Sequence, residues 1–115
     1  TVDLGWQYHH TGIPVKDPIP GERYIPHLKM YVAGFDSSPY GIEWMRFEDD
    51  APVHELIRTV PHVAFVVANL EEALKNKDVL IGPESPSDKL RVAMIRHNGV
   101  PVELMEFGET GEKAE

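Results

Sequence analysis

The feature that most constrains this chain is a strand-like segment that occurs twice. Ile42-Glu43-Trp44-Met45-Arg46-Phe47 and Val102-Glu103-Leu104-Met105-Glu106-Phe107 share the order aliphatic, Glu, apolar, Met, any residue, Phe. The segments that open the two halves correspond as well, His10-Thr11-Gly12-Ile13-Pro14-Val15 against His62-Val63-Ala64-Phe65-Val66-Val67. Each half therefore starts on a strand carrying His and finishes on a strand carrying Glu. A repeated half implies a pseudo-two-fold assembly of two similar units. Side chains alternate along a strand, so Glu43, Met45 and Phe47 share one face, and Glu103, Met105 and Phe107 share the matching one. Trp44, Leu104 and Glu106 point the other way. If the two sheets face each other, His10, Glu43, His62 and Glu103 converge.

The connections differ between the halves. In the second, the β-branched and aromatic run 61–67 predicts a buried strand. Asn69 stands at an N-cap position with Glu72 three residues on, and Leu70, Ala73 and Leu74 recur at helical spacing, which predicts a helix of about two turns. A strand over 77–81 should end at Gly82-Pro83, with a loop over 84–89. Strands over 90–96 and 100–107 flank Asn98-Gly99, a strong hairpin signal. In the first half, strands are expected over 8–15, 27–34 and 41–47. Pro14, Pro18, Pro20 and Pro26 forbid a long helix between the first two, so an extended loop is expected there. Residues 48–52 read as a linker, with a short helical turn over 53–57. The polar tail after Gly108 is expected to be mobile.

A chain of 115 residues that is 42% hydrophobic can bury one core, which predicts a single domain over 1–115. Within it, module one spans about 7–48, a linker about 49–59, and module two about 60–108. Nineteen acidic against eleven basic residues give a formal charge of -8, and no basic patch interrupts it. Such a surface repels phosphate backbones and anionic lipid, so neither nucleic acid nor membrane is an expected partner. No apolar run approaches a bilayer span and no basic, apolar leader opens the segment, so a cytoplasmic location is expected.

Cysteine is absent, which removes disulfides, thiolate metal sites and thiol nucleophiles together. Any metal must then be held by imidazole and carboxylate, a donor set that suits Zn, Ni, Co, Mn or Fe. His10, Glu43, His62 and Glu103 are the candidate ligands of one divalent ion. Such a site can take up further oxygens from water or from a substrate with adjacent oxygens. The ion then acts as a Lewis acid. A carboxylate beside it can abstract a proton next to a carbonyl. Glu103 is the first candidate for that catalytic base and Glu43 the symmetric alternative. His9 should face away from His10 and be structural, and His27, His54 and His97 are assigned to loops or surface. Met45, Phe47, Met105 and Phe107 are assigned to core packing. Arg23, Tyr24, Lys89 and Arg91 are assigned to solvated surface.

At these residues the chain resembles the vicinal oxygen chelate superfamily, and within it the bacterial glyoxalase I pattern. His10-Thr11 is similar to the His of its first strand, Ile42-Glu43 to its first Glu, and Pro61-His62-Val63-Ala64 with Asn69-Leu70-Glu71-Glu72-Ala73 to its second His strand and helix. Val102-Glu103-Leu104-Met105-Glu106 is similar to its final strand. The resemblance covers about 8–107. It implies an α+β fold of paired βαβββ modules forming a cupped, barrel-like sheet with the metal inside, the first module here lacking a regular helix. It also implies a homodimer, in which the two halves of the site could come from different chains. The His/Glu/His/Glu set is closer to glyoxalase I than to three-ligand ring-cleaving dioxygenases, to methylmalonyl-CoA epimerases with Gln in the set, or to bleomycin-binding members without it. Two positions depart from glyoxalase I: Pro14 and Phe47 stand where its glutathione-contacting Arg and Asn belong. The function expected is therefore a metal-dependent isomerase, epimerase or lyase acting by proton abstraction on a small hydroxy-carbonyl compound other than a glutathione adduct. A non-haem iron dioxygenase and a non-catalytic small-molecule-binding module are the alternatives.

Overall fold

A computed structural model describes residues 4–108. In chain order the elements are β1 (Gln7–Pro14), β2 (Arg23–Ile25), β3 (Met30–Ala33), β4 (Ile42–Phe47), α1 (Glu55–Thr59), β5 (His62–Val66), α2 (Leu70–Ala73), β6 (Asp78–Ser87), β7 (Leu90–His97) and β8 (Val100–Phe107). They divide into two compact units, one formed by 10–62 and the other by 4–9 together with 63–108. The tail after Gly108 lies outside the described residues. Among the described residues no helix is long and apolar enough to cross a membrane.

In the unit formed by 10–62 the strand order is β2-β3-β4-β1, with β1 parallel to β4 and the other pairs antiparallel. Its core is Met30, Val32 and Met45, with Ile25, Leu28 and Phe47 packed against them. Val32 pairs with Met45 and Met30 with Phe47, so this core lies on the face that carries Glu43. The expected strand over 27–34 is shorter than predicted: Pro26–Leu28 forms a 3-10 turn, and Lys29 at φ 52 reverses the chain into β3. The proline-rich connection also contains β2, which was not expected. It forms because Tyr24 and Tyr31 face each other across the β2–β3 pair, ring centroids 4.7 Å apart, with the Arg46 guanidinium 4.0 Å over the Tyr31 ring.

In the other unit the order is β6-β7-β8-β5, again with the first strand parallel to the last, β5 to β8. Each unit thus has the same topology. Here Leu70 and Ala73 of α2 pack with Val67, Ala93, Ile95 and Leu104 to form the core, on the face opposite Glu103. The Asn69 side chain accepts from the Glu72 amide at 2.9 Å, as the capping pattern predicts. Glu106 accepts from the Leu70 amide at 2.9 Å and fastens the start of α2 to the sheet. The helix is one turn rather than two, since Asn76 takes a left-handed φ of 61 and turns the chain toward β6. The strand β6 does not stop at Gly82-Pro83. It continues to Ser87 through three register shifts against β7. Pro83 is tolerated because β6 is an edge strand, and Gly82 supplies φ 87 where a Cβ would lie 2.8 Å from the Val92 carbonyl oxygen.

Candidate metal centre

The repeat in the sequence is also a repeat of register. In the first unit Thr11 pairs with Ile42 and Gly12 with Glu43; in the second Val63 pairs with Val102 and Ala64 with Glu103. Each Glu therefore stands beside a small residue two positions after a His. Alternation places His10, Gly12 and Glu43 on one face of the β1–β4 pair. It places His62, Ala64 and Glu103 on one face of the β5–β8 pair.

Two of the four candidate ligands, His10 and His62, meet within the unit formed by 10–62, and a third, Glu43, lies beside His10. His10 and His62 are buried, 7% and 5% exposed, with ring centroids 5.5 Å apart in an edge arrangement. The Glu43 carboxylate lies 3.8 Å from His10 Nε2, and its side chain retains 25% exposure. Phe35 sets an edge against the His10 ring at 5.8 Å. Glu103 belongs to the other unit, half-buried on β8.

Gly12 was not singled out in the sequence, and it shapes this region. A Cβ at Gly12 would come 2.3 Å from His62 Cε1 and within 3 Å of both ring nitrogens. The His62 ring thus occupies the space that any other residue at position 12 would fill. The signal was available: the opening strands carry Gly12 and Ala64, both small, at the same offset from their histidines. A pair of buried imidazoles with a carboxylate beside them, held where a side chain has been removed to make room, fits a borderline divalent ion.

Residues expected outside the site behave accordingly. His9 packs on Phe107, ring centroids 6.0 Å apart. His54 caps α1, its Nδ1 accepting from the Leu56 amide at 3.0 Å, and His27 and His97 are exposed. Met45 and Met105 are buried core residues. Arg91 is tied to Glu71 and Glu106, and Tyr24 donates to Glu48 at 3.2 Å.

The fold, with its His and Glu positions repeated in register, is an α+β fold of paired βαβββ modules, the first without a helix between its opening strands. No protein-family model and no curated protein matches the sequence. Among solved structures, the chain is similar to a hypothetical protein from Bacillus halodurans C-125, with a TM-score of 0.64 at 18% identity over 94% of this chain and 99% of that one. It is also similar to methylmalonyl-CoA epimerase from Mycobacterium tuberculosis, with a TM-score of 0.60 at 17% identity over 90% of this chain and 89% of the epimerase. At these identities the likeness is one of fold.

Proposed function

We propose that the chain is a metal-dependent isomerase or epimerase that removes a proton from carbon beside a carbonyl or hydroxyl of a small substrate, with one divalent ion (Zn, Ni, Co, Mn or Fe) held by His10, Glu43, His62 and Glu103. The observation that carries this reading is the buried His10–His62 pair with Glu43 beside it and Gly12 making room. The in-register placement of Glu103 on β8, on the face of the β5–β8 pair that carries His62, extends the set, and His10, His62 and Glu103 are the types of group that could hold an ion together. The fold shared with an epimerase supports isomerase-type chemistry over lyase chemistry.

Bound there, the ion supplies Lewis-acid stabilisation of negative charge developing on a substrate oxygen. The protein's own groups supply the proton transfers. A carboxylate takes the proton and returns it to the same or the neighbouring carbon, and Glu43 and Glu103, at equivalent positions of the two modules, are the candidates. Pro14 and Phe47 offer no anchor for a glutathionyl carboxylate or amide, which leaves small hydroxy-carbonyl compounds as the substrate class. A homodimer is the form in which we expect it to act, by the family resemblance.

The test is solvent deuterium exchange, followed by proton NMR, with the metal-loaded chain and a panel of small hydroxy-aldehydes, hydroxy-ketones and keto acids. Loss of a C–H signal next to a carbonyl, absent after chelation, is the expected result. Glu43→Gln and Glu103→Gln separate the roles: the base variant keeps metal and loses exchange, whereas a ligand variant loses both. Tight binding of a panel member without exchange or turnover would favour a binding module instead.

A further inference from the structure

A cavity lies wholly within the unit formed by 4–9 and 63–108, and none of the proposed metal ligands lines it. Its volume is about 970 Å³, and Trp6, Phe65, Ile95 and Val102 form its apolar lining. Ile95 pairs with Val79 and Val102, whereas Glu103 pairs with Met94, so this lining belongs to the helix-bearing face of the sheet, opposite Glu103. The cavity exists for a simple geometric reason. A four-residue helix is about 6 Å long, and the eight-residue strands β7 and β8 beneath it run about 27 Å. Helix α2 packs on Leu104, Ala93 and Ile95, and the cavity opens beyond it, where the partly buried Val102 and the far ends of β7 and β8 line it. The entering chain flanks that stretch, with Trp6 on Phe65 at a ring distance of 5.8 Å.

The rim has a charge opposite to that of the chain. Lys77, Asp78 and Arg96 line the cavity, with His97 beside them, and Asp78 is engaged by Arg96 Nε at 2.9 Å. That leaves Lys77 as the charge not balanced by a rim partner, on a chain whose formal charge is -8. A local positive site in a negative protein, set at the mouth of an aromatic and aliphatic pocket of ligand size, selects an amphipathic anion. We propose that this cavity binds a small monocarboxylate with an apolar body, the body on Trp6, Phe65, Ile95 and Val102 and the carboxylate at Lys77. The site is separate from the proposed metal centre and does not depend on it.

Isothermal titration calorimetry of the full chain in EDTA tests this, with naphthoate, decanoate and the neutral naphthylmethanol as probes. Chelation keeps a carboxylate from reporting a metal instead. The expected result is saturable binding of one carboxylate per chain, weakened about tenfold or more by Lys77→Glu, the scale of one charge-assisted hydrogen bond. Naphthylmethanol should bind at least about tenfold more weakly than naphthoate for the same reason. Preference for naphthoate or decanoate assigns the body as aromatic or acyl. No saturable binding of either acid, or binding equal for acid and alcohol and unmoved by Lys77→Glu, would overturn the proposal.

Discussion

At position 12 a single hydrogen in place of a methyl group decides whether His62 can occupy its place. Gly12→Ala puts a Cβ 2.3 Å from His62 Cε1, a distance that packing does not permit. Overpacking of this kind costs about 1–3 kcal/mol. We expect that loss in denaturant unfolding, together with weaker metal binding, since the ring that must move is a proposed ligand. Ala64, at the same position of the second module, is also small and is fully buried. A second residue-scale prediction concerns Glu22. Its carboxyl is held below the ordinary value of 4.5, first by hydrogen bonding from the Arg46 guanidinium and then by the Ile19 amide. A group whose pKa is lowered on folding stabilises the protein above its unfolded pKa and loses that contribution as pH falls through the folded value. Stability should therefore decline below about pH 4.5. Glu22→Gln should make that decline shallower, as read by thermal unfolding across an acid series.

Among the elements, the clearest asymmetry is between Leu104 and Trp44, which occupy the same place in the repeated motif. Leu104 is fully buried beneath α2, while Trp44 is 36% exposed, since the first module carries a proline-rich connection where the second carries a helix. Leu104→Ala should cost about 2–5 kcal/mol, as for a filled core site that cannot collapse. Trp44→Ala should cost clearly less in the same chemical denaturation. The two connections are nonetheless fastened alike: Arg46 binds Glu22 of the loop, and Glu106, two positions after Leu104 as Arg46 is after Trp44, binds the first amide of α2. The strands carrying the Glu-x-Met-x-Phe motif and the Asn98-Gly99 hairpin were legible because period-two patterning and a positive-φ turn are local properties of the sequence. The strand β2 was not, because three residues among prolines carry no period, and its partner and the Tyr24–Tyr31 contact appear only in the fold. The continuation of β6 past Gly82-Pro83 was hidden for a related reason: an edge strand needs fewer of its amides, so residues that end an interior strand merely bend this one. The repeat is what marks His10, Glu43, His62 and Glu103 as the candidate site. The role of Gly12 was not legible, because it acts through the side chain it lacks, and the close approach of the His62 ring exists only in the fold.

At the scale of the whole molecule, the proposed chemistry rests on two modules with one topology and one register, each contributing a His and a Glu. The expected homodimer is checked by light scattering at micromolar concentration, where a dimer mass is predicted. A monomer with intact metal binding would assign the complete site to one chain. The most direct test of the central claim is metal content per chain by elemental analysis, after reconstitution with Zn, Ni, Co, Mn and Fe(II), for the unaltered chain and for His62→Ala. One ion per chain that is lost in His62→Ala is the predicted result; no ion in the unaltered chain, or one ion retained in the variant, would contradict it.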